Sequence, residues 1–254
     1  MNKTVKNILL RIFLLLGTSA FIVLVVMAKM RRDDMPVRNI QVEIDDKDGN
    51  YLVTKEQVLA LLQENFSVEN RVLSGKELER IEKQMARIPQ VKKANAFTDN
   101  QGNLSVKIVQ RIPVLRVYTV HGTTYYVDET GVKFPTTDNF TARVPVLTGN
   151  ISERADTLKK ASSPGLVAVL NVVKKVNQNK VWKELIGQYN VNEKNEIELI
   201  PRIGRAYVYF GNDEHIERKL KQLDIFYFEV LQKVGWDYYK VINIMYKEQV
   251  VCLK

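Results

Sequence analysis

From Ile12 to Ala28 the chain reads IFLLLGTSAFIVLVVMA, without one charge, between Arg11 and Lys29. A helix that crosses a bilayer core needs about 17 to 25 predominantly apolar residues. This run reaches that range, and Met30 extends it if Lys29 snorkels. A chain holding such a segment sits at a membrane, with nearly all of its remaining length on one side. A cleavable signal peptide is the alternative, but its apolar region is shorter, about 7 to 15 residues, and ends in a small-residue cleavage site. Here the run closes as VVMAKMRRDD, which stops transfer more readily than it invites a peptidase, so an anchor over 12–30 is the reading carried forward.

The formal charge of +9 suggests a nucleic-acid binder until it is located. Lys3, Lys6, Arg11, Lys29, Arg31 and Arg32 stand in residues 1–32 without an acid, so most of the excess flanks the apolar run. There it meets anionic headgroups. No basic, aromatic-interleaved patch remains for DNA or RNA. Three basic residues precede the run and three follow it, close to a tie for the positive-inside rule. A short tail (1–11) inside and the large region outside is the simplest topology, because long regions translocate largely regardless of charge.

Past the linker 31–36, local patterns define a small unit at 37–110. Val37–Ile44 alternates as a half-buried strand. Thr54 with Gln57, and Ser74 with Glu77, are capping boxes that open two helices. The second carries the stripe Leu78, Ile81, Met85, Ile88 and ends at Pro89. Strands follow at Val91–Thr98 and Leu104–Gln110, around the turn Asn100–Asn103. The order strand, helix, helix, strand, strand predicts a sheet covered by helices on one face.

Pro113 marks a junction, and the region 111–254 changes character. Short strands are predicted at Val114–Val120, Thr123–Val127, Val132–Phe134 and Val144–Leu147. Others are predicted at Ile186–Val191, Glu196–Ile200, Tyr207–Phe210, Val241–Tyr246 and Gln249–Leu253. Two long helices are expected, Pro164–Asn177 and Asp213–Val234, the latter with Ile216, Leu220, Leu223, Tyr227, Val230 and Val234 on its buried stripe. The fold class is thus α+β: an N-terminal transmembrane helix, a small βααββ domain, then a mixed β-domain with two long helices.

Chemistry is sparse. His121 and His215 lie in no metal-ligand spacing, and Cys252 is the single cysteine, which forbids an intramolecular disulfide. No nucleophile elbow and no glycine-rich phosphate loop occurs. Asp128 and Glu129 read as solvated turn acids rather than a catalytic pair. No cofactor, metal or small-molecule substrate is expected. What remains is the last strand, Gln249–Leu253. A terminal strand either completes the core or offers an edge on which a partner adds a strand. Tyr246, Val250, Val251 and Leu253 would supply side-chain contacts beside the backbone bonds; Lys247, Glu248 and Lys254 would blunt the edge.

The order of several motifs resembles the cell-division family FtsQ/DivIB over nearly the whole chain. Val37–Val42 resembles its first strand, and Thr54–Val58 opens a similar helix. Ile88-Pro89-Gln90-Val91-Lys92-Lys93-Ala94 and Gln110-Arg111-Ile112-Pro113-Val114 resemble its "hP.V..A" segment and "ERxP" box. Val127–Gly131 resembles its "hDxxG" turn, and Val144–Gly149 its "hPhLxG" strand. The resemblance implies that 37–110 is a POTRA domain and 111–254 the family's β-domain. It implies a non-enzymatic divisome scaffold of the bacterial inner membrane that sits at the division septum. Its N-terminus would be cytoplasmic and its C-terminal region periplasmic, holding FtsB- and FtsL-like single-span proteins. Carried over by position, Tyr246 matches the family's "DLRY" strand, whereas Asn243 and Met245 depart from it. The implied partner-binding set is Tyr246, Lys247, Gln249, Val250, Val251 and Leu253, with Arg218 and Lys219 as a basic pair beside the edge. A POTRA-bearing transport or assembly adaptor is the alternative, using the edge of the first domain.

Overall fold

The computed structural model describes residues 3–33, 35–45, 49, 51–155 and 158–254. The first two residues of the expected tail and Asp34 of the expected linker lie outside these, as do the side chains of Lys29 and Met30. The apolar run lies within α1 (Lys3–Asp33), a single helix of 31 residues. Its two hydroxyls fold back on the helix, Thr18 Oγ1 donating to Leu15 O (3.0 Å) and Ser19 Oγ to Leu16 O (2.9 Å). This satisfies them without solvent. Its described side chains run from residue 12 to residue 27. Among the described residues no helix is long and apolar enough to cross a membrane.

Two compact units follow from the chain path, the first Met1–Asp46 with Val53–Gln110, the second Lys47–Leu52 with Arg111–Lys254. In the first, β1 (Asn39–Asp45), α2 (Lys55–Asn65), α3 (Gly75–Met85), β2 (Val91–Thr98) and β3 (Asn103–Gln110) appear in the predicted order. The sheet runs β1-β3-β2, with β1 parallel and β2 antiparallel to β3. Val58, Leu62, Ile81 and Met85 of the helices bury against Leu104, Val106 and Ile108 of β3. The Ser74–Glu77 box closes reciprocally, whereas Thr54 caps α2 by accepting from the Gln57 N–H. Helix α3 stops at Met85, short of Pro89, and the chain reaches the proline through tighter turns, the Arg87 N–H donating to Gln84 O (3.1 Å) and the Ile88 N–H to Met85 O (3.1 Å). Val37 leaves the ladder altogether. It is fully buried and exchanges backbone bonds with Asn70 and Arg71.

The second unit is one mixed sheet of nine strands. Its members are β4 (Pro113–Tyr118), β5 (Thr124–Asp128), β6 (Lys133–Pro135), β7 (Val146–Gly149), β8 (Ile186–Val191), β9 (Ile197–Pro201), β10 (Tyr207–Gly211), β11 (Val241–Asn243) and β12 (Val251–Leu253). They lie in the order β12-β11-β10-β9-β8-β7-β4-β5-β6. Helices α4 (Pro164–Val176), α5 (Lys180–Leu185) and α6 (Ile216–Ile225) contribute Val169, Val173, Trp182 and Leu223 to a core with Leu147, Tyr189, Leu199 and Val208 of the sheet.

Three expectations change here. The predicted helix over Asp213–Val234 begins only at Ile216, because His215 sits at φ 53°, outside the helical region. It continues as a π-helical segment, Phe226–Leu231, and ends in α7 (Gln232–Val234). The five-residue spacing shifts the stripe, so Leu231 is buried and Val234 is 41% exposed. Helix α5, which the periodicity did not suggest, is announced by Asn179, whose Oδ1 accepts from the N–H groups of Val181 and Trp182. Strands β11 and β12 are shorter than predicted, three residues each.

The Tyr189 hydroxyl is buried with no hydrogen-bond partner among the described residues. Burial pushes its pKa upward. An orphaned buried donor costs about 1–3 kcal/mol. Tyr189→Phe is therefore expected to leave stability unchanged or raise it by about 1 kcal/mol. Trp182 and Trp236, the two tryptophans of the chain, both lie in this unit. A urea titration of the full chain followed by tryptophan fluorescence reads it alone, and a loss of stability would mean that the hydroxyl has a partner.

Candidate strand-docking edge

The two outer strands of the large sheet are treated differently. Along β6, Lys133 donates its N–H to Lys159 O (2.9 Å) and accepts from the Leu158 N–H (3.0 Å), so the segment after it covers that edge. Among the described residues, β12 pairs only with β11, in the register Val241 with Leu253, Ile242 with Cys252 and Asn243 with Val251. The far side of β12 is a free strand edge, with backbone groups open to an added strand.

Alternation sets its two faces. Cys252 packs toward the core beside Ile242, and burial pushes its thiol pKa upward. Val251 (41% exposed) and Leu253 (61% exposed) lie on the opposite face. The register continues that face from Leu253 through Val241 to Tyr207, itself 37% exposed. Tyr207 was not singled out by sequence reasoning, because nothing local tells which face of a short strand stays open.

The other expected contacts fall outside the strand. Tyr246, Lys247, Gln249 and Val250 all belong to the connection between β11 and β12, so Tyr246 does not close a strand Val241–Tyr246, nor do Gln249 and Val250 open a strand Gln249–Leu253. The ladder stops at Asn243 because its Oδ1 accepts from the Met245 N–H (3.0 Å), turning the chain away. Tyr246 is half exposed, Lys247 and Gln249 are exposed, and Val250 packs against the core. Lys247 meets Glu248 at 3.6 Å in an exposed pair of little energetic weight.

The basic pair splits. Arg218 reaches the connection, its Nη1 donating to Tyr246 O (3.0 Å) and to Gln222 Oε1 (2.8 Å). Lys219 is buried. Its Nζ donates to Asn212 O (2.8 Å) and Asn212 Oδ1 (2.9 Å) and stands 4.9 Å from the centre of the Phe210 ring. Burial, with Arg218 beside it, lowers the Lys219 pKa. Its role is to hold the loop after β10, and it presents no charge to a partner. Gln222 joins the site from the structure alone, donating from Nε2 to Tyr246 O (3.3 Å).

Among the described residues no three histidines, cysteines or carboxylates converge as a metal site. What the site offers is backbone hydrogen bonding at an edge, flanked by apolar side chains. No curated protein matches the chain. The family model described as FtsQ/DivIB, C-terminal related, matches residues 112–253, the nine-stranded unit almost from end to end. That match covers more than half of the sequence, and with it the chain belongs to the FtsQ/DivIB family of cell-division proteins.

Proposed function

We propose that the chain is a non-enzymatic scaffold of the divisome, anchored in the bacterial inner membrane by α1. It holds a single-span FtsB- or FtsL-like partner by pairing an extended segment of that partner with β12. The observation that carries this reading is the asymmetry of the sheet edges: among the described residues β6 is covered, whereas β12 is paired on one side only. The anchor rests on α1, where Phe13, Leu15 and Phe21 are 75%, 69% and 68% exposed within an uncharged run. Apolar side chains displayed around a helix demand either a protein core or lipid.

The energetics fit a co-anchored complex. A strand of a few residues buries little apolar area, and ordering a flexible segment opposes binding. Confining both partners to one bilayer raises their effective concentration and offsets that cost. Photo-crosslinking along Gln249–Leu253 in growing cells is expected to capture a small single-span protein at alternate positions. Val251→Glu, a charge on an already exposed face, is expected to abolish capture while changing the unfolding free energy read by urea titration by less than about 0.5 kcal/mol. Silence along this segment, with capture of unfolded envelope proteins along Asn39–Asp45, would replace the scaffold with the transport adaptor.

A further inference from the structure

The connection between β11 and β12 is held short of its own geometry. Extending the register beyond Asn243 and Val251 would set Ile244 opposite Val250 and Met245 opposite Gln249. Tyr246, Lys247 and Glu248 would then form a three-residue hairpin loop. Such loops end in a residue of positive φ, and Glu248 already stands at φ 64°. The turn is ready for a longer ladder that does not form.

Two sets of side chains hold it back. Asn243 Oδ1 occupies the Met245 N–H. Arg218 Nη1 and Gln222 Nε2 both donate to the Tyr246 carbonyl, tying the loop to α6. Arg218 Nη1 also donates to Gln222 Oε1, so the two donors hold each other in place.

We infer that Arg218, Gln222 and Asn243 are positioning residues that keep the free edge at three residues, and that their release lengthens β12 to Gln249–Leu253. This rests on the edge-docking reading of β12 and adds how that edge is regulated. A three-residue edge is a poor template for stray pairing, whereas five residues accommodate an extended segment of a partner. Arg218 then acts through the Tyr246 carbonyl rather than by touching the partner. An acidic partner residue that draws Arg218 away would open the latch as it docks.

The test needs no partner. The full chain in lipid nanodiscs is compared with the double variant Arg218→Ala/Gln222→Ala by amide hydrogen exchange over 244–253. The single cysteine, Cys252, is labelled in parallel with N-ethylmaleimide. Release is expected to slow exchange about tenfold at whichever amide of Gln249 or Val250 turns toward β11, with no faster labelling of Cys252. Asn243→Ala, which frees the Met245 amide without touching α6, shifts exchange in the same direction. Arg218→Lys, retaining one donor for Tyr246 O, restores part of the parental pattern, and Lys221→Ala on the same helix leaves it unchanged. Faster exchange across 244–253 in both releasing variants would mean that the contacts only stabilise the loop, and unchanged exchange that they are idle. Either outcome overturns the latch, while crosslinking at β12 tests the docking edge separately.

Discussion

Glu153→Gln is expected to destabilise the nine-stranded unit by about 3 kcal/mol or more, one of the two largest losses from a single side chain outside the hydrophobic core. Lys133 Nζ donates to Glu153 Oε1 (2.7 Å) and to Arg154 O (3.0 Å), with 3% of the lysine side chain and 10% of the glutamate side chain exposed. The same carboxylate accepts from the Ser162 N–H (3.0 Å) and the Ser163 N–H (2.8 Å), pinning the start of the segment that leads to α4. Neutralising it leaves the lysine charge buried among neutral carbonyls, the Arg154 peptide oxygen and the new amide oxygen, without a counter-charge. Replacing one member of a buried pair costs about 3–5 kcal/mol, because the remaining charge loses its counter-charge without regaining water. Replacing both, as in Lys133→Met/Glu153→Gln, is expected to cost less than either single change. Urea titrations followed by tryptophan fluorescence measure all three.

The pair also predicts a pH dependence. Burial alone would raise the Glu153 pKa, but the Lys133 ammonium and the donors of Ser163 and Ser162 outweigh it and bring it down to about 2. A carboxylate depressed in the folded state stabilises fully above its unfolded value of about 4.5 and loses that contribution as pH falls through its folded pKa. The window of loss therefore runs from about pH 4.5 down to about 2, and the stabilisation at stake is about 3 kcal/mol. Glu153→Gln should flatten this part of the stability profile. A variant that keeps the parental slope would assign acid sensitivity to other carboxylates.

The features legible in the sequence are those whose cause is local. Capping at Ser74 and Thr54, alternation in β3, and the turn at Asp128 each depend on a few neighbours, and each forms where predicted. The Asp128 turn shows how far that goes. Its carboxylate accepts from the Thr130 and Val132 N–H groups, as the turn chemistry leads one to expect. Its other oxygen takes Arg111 Nη1 at 2.7 Å, across a distance in sequence that periodicity does not span, so the acid expected to be solvated is instead buried in an ion pair. Lys133 reads as a polar residue in a strand, and only the folded chain brings Glu153 to it. The edge position of β12 likewise follows from the order of nine strands, in which three neighbouring pairs are parallel and so joined by crossovers, β4 with β7, β7 with β8 and β10 with β11. Sequence periodicity names strands but not their neighbours. The early end of β11 hinges on one side chain, Asn243, choosing a nearby amide over the ladder.

Two glycines of the motifs that carry the family resemblance separate conformational need from steric need. Gly131 and Gly149 both stand at positive φ, 83° and 95°. At Gly131 an added Cβ would meet only Leu170 Cδ1 at 3.9 Å, an ordinary contact. Gly131→Ala therefore costs only the strain of the left-handed region, about 1–2 kcal/mol. At Gly149 the same atom would lie 2.0 Å from Val191 O, 2.6 Å from Asn190 Oδ1 and 2.8 Å from Val191 N. The first and last of these are backbone atoms of β8, paired in parallel with β7 at the centre of the sheet, and the second is the side-chain oxygen of the neighbouring β8 residue. Val191 O also accepts from the Asn150 N–H at 2.7 Å, so neither strand can move aside without breaking that bond. Gly149→Ala is expected to cost more than about 4 kcal/mol, an exceptional loss for one substitution, because backbone strain and a clash add at the same position. That is a large share of the 5–15 kcal/mol holding a typical domain together. The matched pair isolates the cause, because strain is common to both and the collision belongs to Gly149 alone. Equal losses in urea titrations of the two variants would show that the strands open readily there, and that φ alone makes glycine necessary at both positions.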